Sequence, residues 1–210
     1  MFLGSEAAVM EEGIPALPAA PVEDPLVQVV RRLRTGEVDA FEELMARTEG
    51  RILALAWRLL GDRHLAEDAA QETYLRIFRS LDSFRLGDPF EPWMIRIAVN
   101  VCRDQARRRG PLPLPAETLD YLEGDAAPMG AEEAVLLQQR RAMVQRALAD
   151  LPQAERAALV LRDLEGLATE EVARVLGVRP VTVRSQVASA RSKLQAFCSR
   201  WSNAPQGGRP

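Results

Sequence analysis

The 210-residue chain carries 27 basic and 30 acidic groups, a net charge of −3, with 5% aromatic residues, two cysteines and one histidine. Cys102 and Cys198 lie far apart and His64 stands alone, which argues against a disulfide framework or a structural zinc site and leaves the cysteines as packing residues. No apolar run is long enough to span a membrane, and no basic start leads into an apolar core, so a cytoplasmic protein without membrane insertion is expected.

The charge is unevenly placed. Residues 1–40 hold three basic and seven acidic groups, as do residues 111–150, whereas 151–210 hold nine basic and five acidic, with no acid after Glu171. Such a distribution puts positive charge where a nucleic acid would be met. No Gly-rich phosphate loop, nucleophile elbow or H-E-x-x-H pattern is present, so neither catalysis nor a metal or other cofactor is expected. Runs of Ala, Leu, Glu and Arg broken by Gly and Pro favour an all-α fold.

Residues 1–25 are small, acidic and proline-rich, and are expected to form a disordered tail. Leu26–Arg34 makes a short helix that Gly36 ends. Asp39 is a candidate N-cap for a long helix, Ala40–Leu60, closed by Gly61. In the next helix, His64–Ser80, the residues Leu65, Ala66, Ala69, Ala70, Tyr74, Ile77 and Phe78, with Leu81 beyond it, can face inward. Asp68, Gln71, Glu72 and Leu75 fall at i, i+3, i+4 and i+7 and so share one ridge. A solvated face is the usual reading of such a row, and the leucine inside it tilts the balance only slightly toward a docking surface.

The stretch after it runs from a polar loop, with Ser83, Phe84 and Arg85, into a helix with Pro92 in its first turn. Trp93, Ile97 and Val101 recur at helical spacing, and Arg96, Asn100, Arg103 and Arg107 recur on a neighbouring face. An aromatic, an amide and several guanidiniums can stack on bases, bond their edges and hold phosphates. An amphipathic helix with a solvated arginine face would show the same spacing.

Residues 110–130 have a linker's composition, with proline, glycine, acids and no period. Ala131–Asp150 reads as an amphipathic helix through Val135, Leu136, Met143, Val144, Ala147 and Leu148. A helix Gln153–Leu164 stops at Gly166, and Thr169 caps a short helix carrying Glu170 and Glu171 in its first turn. Gly177 turns the chain and Pro180 opens a last helix to about Phe197, which completes a helix-turn-helix pattern. Val183, Val187, Ala190 and Leu194 face the core there. Thr182, Arg184, Ser185, Gln186, Ser189 and Arg191 are left outward. Arg184 can fork onto guanine for about 1–3 kcal/mol of discrimination, while Arg191 and Lys193 suit phosphates.

Two stretches together resemble one known family. AEDAAQETYLRIFRSLDSFRLGDPFEPWMIRIAVNVCRDQARRR resembles region 2 of the extracytoplasmic-function (ECF) sigma factors of bacterial RNA polymerase, and ALADLPQAERAALVLRDLEGLATEEVARVLGVRPVTVRSQVASARSKL resembles their region 4. The resemblance implies two helical domains, region 2 over 26–109 and region 4 over 131–200, joined by a flexible linker and followed by a disordered tail, 201–210. It implies that Asp68, Gln71, Glu72 and Leu75 dock on the clamp helices of the polymerase β′ subunit, and that the β flap is a second contact. By the same resemblance Ser83, Phe84, Arg85, Trp93, Arg96, Asn100, Arg103 and Arg107 would recognise the minus-ten element of promoter DNA, with Arg108 and Arg109 on phosphates nearby. Thr182, Arg184, Ser185, Gln186, Ser189 and Arg191 would read the minus-thirty-five element. An anti-sigma factor is the further partner expected. The family often has basic residues where Gln186 and Ser189 stand, and Gly87 falls one place later than in a common form of the loop. Without the resemblance, a stand-alone helix-turn-helix regulator with an N-terminal effector domain would also account for the second stretch, but it leaves the loop and helix around Trp93 without a task.

Overall fold

The computed structural model describes residues 24–109 and 131–203, and every regular element among them is helical. The expected linker lies outside the described residues, as does most of each expected tail. The elements are α1 (Pro25–Arg34), α2 (Asp39–Leu60), α3 (Arg63–Ser80), a 3₁₀ turn Leu81–Ser83, α4 (Phe90–Arg109), α5 (Ala131–Ala149), α6 (Gln153–Leu159) running into a π-helical turn Val160–Leu164, α7 (Thr169–Leu176) and α8 (Pro180–Asn203).

Helix starts depend on side chains that a periodic pattern does not reveal. Asp24, expected in the tail, caps two helices at once: Oδ1 accepts from Leu26 N at 2.9 Å and Oδ2 from Phe90 N at 3.1 Å, at the starts of α1 and α4. Asp62 caps α3 through Leu65 N at 3.0 Å. Asp39 is the first helical residue of α2 rather than its cap, a position where the helix dipole still favours a carboxylate. Thr169 likewise begins α7 one place inside Ala168, whose N–H is held by Glu171 at 2.8 Å. Gly61 and Gly177 close α2 and α7 at φ 71° and 68°, a left-handed turn that a Cβ would disfavour.

The apolar residues form two cores. One joins α1, α2 as far as Ile52, the end of α3 and the start of α4 through Val30, Leu44, Ile52, Ile77, Phe90 and Met94. Within it the Thr48 and Tyr74 hydroxyls meet at 2.9 Å, and Thr48 donates to Leu44 O, so two buried polar groups satisfy each other. Burial pushes the Tyr74 hydroxyl up to about 12. The second core begins with Leu55, Leu60, Ile95 and Val99 and continues without a break into Leu148, Leu161, Val172, Val187 and Ala190 of the C-terminal half. The two domains are thus present as expected, but among the described residues they pack on one another.

Several expectations about faces are corrected. Phe78 is 63% exposed, because Tyr74 and Ile77 take the inward positions of that turn and leave it at the rim, edge-on to Phe41 at 5.6 Å. Leu136 and Val144 are also exposed: α5 seats only its C-terminal turns, through Gln145, Ala147 and Leu148. The expected helix 153–164 is α-helical only to Leu159. Ala157–Leu161 are buried in succession, more than one stripe of an α-helix offers, and the chain widens to a π turn directly after Leu159. The last helix continues six residues beyond Phe197, to Asn203, into the segment expected as tail.

Candidate nucleic-acid interface

The ridge on α3 is presented outward. Asp68, Gln71 and Leu75 are exposed and Glu72 is half-buried, while Ala69, Ala70, Thr73 and Tyr74 on the same helix are buried. Leu75 is 50% exposed, a cost in water that a partner surface would remove. Glu72 is already engaged, since Arg76 Nε donates to its Oε1 at 2.7 Å. Arg76 also reaches Asp104 Oδ2 on α4 at 3.1 Å, and Asp104 Oδ1 accepts from Arg107. The row Glu72–Arg76–Asp104–Arg107 therefore joins the ridge to the arginine face of α4. Arg76 first, then Arg107, holds the Asp104 carboxyl below the usual carboxylate range.

The loop before α4 is held from behind. Arg34 donates to the carbonyls of Leu81 and Phe84, and Ser83 Oγ donates to Ser80 O at 2.6 Å. Phe84 is 3% exposed, packed edge-on against Phe90 at 5.3 Å and tilted against Trp93 at 5.3 Å. In this conformation it is an anchor of the loop and has no face to offer a base, a correction to its expected placement. The physical reason is that Phe84 follows the 3₁₀ turn with its ring against Phe90 and Trp93 at the start of α4, where burying a large apolar side chain is favoured over exposing it. Ser83 and Arg85 stay exposed.

On α4 the buried face is Phe90, Met94, Ile95, Ala98, Val99, Val101 and Cys102, with Trp93 and Ile97 at its edge. Arg96, Asn100, Arg107 and Arg108 are exposed, and the Arg109 side chain lies outside the described residues. Arg103 departs from this row. It is half-buried, and its Nη1 donates to Leu176 O, at the end of α7 in the other domain, at 3.1 Å.

On α8 the expected core residues Val183, Val187 and Ala190 are buried, with Leu194 partly so. Arg184 and Ser185 are exposed near the helix start; Thr182 and Ser189 are half-buried. Gln186 is also half-buried and its Oε1 is shielded without a hydrogen-bond partner, because three residues after Val183 falls at the margin of the core face. Arg191 forks onto Asp163 at 2.7 and 2.8 Å, and Lys193 pairs with Glu155 at 2.8 Å. Both cations hold α8 to α6 and the π turn that follows it, and the Arg191 bond keeps Asp163 below the usual carboxylate range. Val181 is 55% exposed, a position that the expected outward set omits although its place two residues before Val183 puts it off the core period.

Comparison with known proteins agrees with the arrangement. A family model described as Sigma-70 region 2 matches residues 44–111, and one described as Sigma-70, region 4 matches residues 141–194. The chain is 38% identical over 164 residues to the ECF RNA polymerase sigma factor SigE of Mycolicibacterium smegmatis, covering 78% of this chain and 63% of that protein. It is 34% identical over 174 residues to the RNA polymerase sigma-H factor of Pseudomonas aeruginosa, covering 80% of this chain and 90% of that one. The solved structure of the sigma factor RpoE in complex with the anti-sigma factor NepR from Bartonella quintana shares the fold, with a TM-score of 0.61 at 24% identity over 77% of this chain and 98% of that one. With both regions matched in order and a relative aligned over nearly its whole length, this chain belongs to the ECF sigma factors of the sigma-70 family, RNA polymerase factors of transcription initiation.

Proposed function

We propose that this protein directs core polymerase to two-part promoters by three surfaces, and that it performs no bond chemistry itself. Asp68, Gln71, Glu72 and Leu75 dock on the clamp helices of β′. Ser83, Arg85, Trp93, Arg96, Asn100, Arg103 and Arg107 engage the opened minus-ten strand, with Phe84 fixing the loop that carries them. Arg184 and Ser185 read the minus-thirty-five element, flanked by Thr182, Gln186, Ser189 and Arg191. A cytoplasmic location follows, where polymerase and promoters are met.

The observation that carries the reading is the contrast on α3 and α4: an apolar residue stands exposed in an acidic ridge, and an exposed arginine and amide row lies on the neighbouring helix, tied to it by Arg76 and Asp104. Unstacking a base costs a few kcal/mol, so a surface that meets the opened strand must repay that cost with contacts absent in the duplex. The exposure of Arg96 and Asn100 on α4, and of Ser83 and Arg85 in the loop before it, supports that role for them. The anti-sigma factor that a solved relative carries suggests a comparable partner here, one that would cover the polymerase-facing ridge.

Run-off transcription on a promoter library, with core polymerase alone and with the chain added, tests the proposal. Promoter-specific transcripts that require the chain are expected. Sequence-specific binding of duplex DNA by the free chain, with no transcripts added, would instead support a stand-alone regulator.

A further inference from the structure

On α8 the basic groups of the middle turns are already engaged. Arg191 is forked on Asp163 and Lys193 is paired with Glu155. Affinity for a duplex backbone comes largely from releasing the counterions of its phosphates, and a cation with a carboxylate beside it releases fewer of them. The half-buried Gln186 and Ser189 carry no charge to make up the difference.

Two arginines at the opposite end of the helix-turn-helix are in the other state. Arg174 stands exposed in the last turn of α7, and Arg179 stands exposed directly before α8. Neither guanidinium has an ion pair or a hydrogen bond among the described residues, and Glu170, one turn before Arg174, is no exception. The sequence holds no acid after Glu171, so no later residue competes for either of them.

The backbone between the two is fixed. Gly177 turns left-handed at φ 68°, Val178 N donates to Ala173 O at 3.0 Å, and the Arg179 carbonyl accepts from Thr182 N at 2.9 Å. Val175, Leu176 and Val183 anchor the turn from beneath. In helix-turn-helix docking the first helix crosses the DNA backbone and the start of the second enters the major groove. The end of α7 and the residue before α8 then pass the phosphates that border the groove, while Arg184, one turn into α8, reaches the base edges inside it.

We propose that Arg174 and Arg179 form a clamp on backbone phosphates at this turn, which fixes where Arg184 enters the groove and reads no sequence itself. The assignment deepens the proposed function and rests on it. Holoenzyme carrying the wild type, Arg174→Gln or Arg179→Gln is titrated with promoter duplex over a range of salt. Each variant should lower the slope of log affinity against log salt by about 0.9, which makes binding about eightfold weaker at about 0.1 M salt and leaves it unchanged near about 1 M. The loss should be the same on every promoter, whereas Arg184→Ala should reorder them. Arg174→Lys and Arg179→Lys keep the charge and should keep the slope. Replacing single phosphates of the minus-thirty-five segment by uncharged methylphosphonate should weaken wild-type binding at the clamped positions and leave the matching Gln variant unaffected there. Both residues are exposed, so both Gln variants should retain their helical circular dichroism. Unchanged slopes in the two Gln variants, a loss confined to some promoters, or equal methylphosphonate sensitivity of variant and wild type would each overturn the clamp. Unchanged slopes alongside promoter-specific transcripts that require the chain would do so while leaving the proposed function standing.

Discussion

Arg103 on α4 spans the domain boundary to donate to the Leu176 carbonyl at 3.1 Å. A residue whose neighbours Arg96, Asn100 and Arg107 face solvent is thereby half-buried and committed to the end of another domain's helix. The geometry makes one guanidinium of that row a tie between the two domains.

Asp68→Arg should abolish productive binding to core polymerase, measured as a loss of about two orders of magnitude in affinity, the range reached by removing and reversing a charge at an interface centre. Asp68 is exposed on α3, so thermal unfolding should move little. An unchanged core affinity would remove the ridge from the docking surface.

Phe84→Ala and Arg85→Ala should separate support from contact. Phe84 is packed against Phe90 and Trp93, so its truncation should cost about 3–5 kcal/mol in denaturant unfolding. The exposed Arg85 should change stability by less than about 0.5 kcal/mol while weakening minus-ten recognition. Equal stability of the two variants would contradict the anchoring role of Phe84.

Arg184→Ala should relax the minus-thirty-five preference by about 1–3 kcal/mol at one base pair, leaving the fold unchanged. A promoter library read by sequencing of transcripts would show it, and an unaltered ranking would exclude the contact. Arg191→Ala is expected to act differently, because its guanidinium is forked on Asp163: part of its effect should appear as weaker packing of α8.

Stability should fall as the pH rises from about 9 to about 12. Burial pushes Cys102 from 9.0 up to about 12, and Tyr74 from 10.0 up to about 12. Both hold their protons in the folded chain at pH values where the unfolded chain has released them, so their contribution is complete below the unfolded values and is lost through that window. The chain has one lysine and two tyrosines, so few other such side chains titrate there. Denaturant midpoints measured across the window should decline steeply in the wild type and less in Tyr74→Phe and in Cys102→Ala.

The helical class, the positions of most helices, the outward ridge of α3 and the turn before α8 were legible in the residues themselves. Each rests on local rules: apolar residues recurring every three or four places, a glycine where the backbone must turn left-handed, an acid at a helix start. The reach of Asp24 to Phe90, the anchoring of Phe84, the pairing of Arg191 with Asp163 and the joining of both domains through Glu165 were not. These pair residues 28 to 114 positions apart or depend on which of several amphipathic faces finds a partner. A carboxylate or guanidinium carries no mark in the sequence to say whether it will meet water, DNA or an opposite charge from a distant helix. That choice was made by packing: once Leu59, Val99 and Ala157 shared a core, the polar groups around them had to satisfy one another.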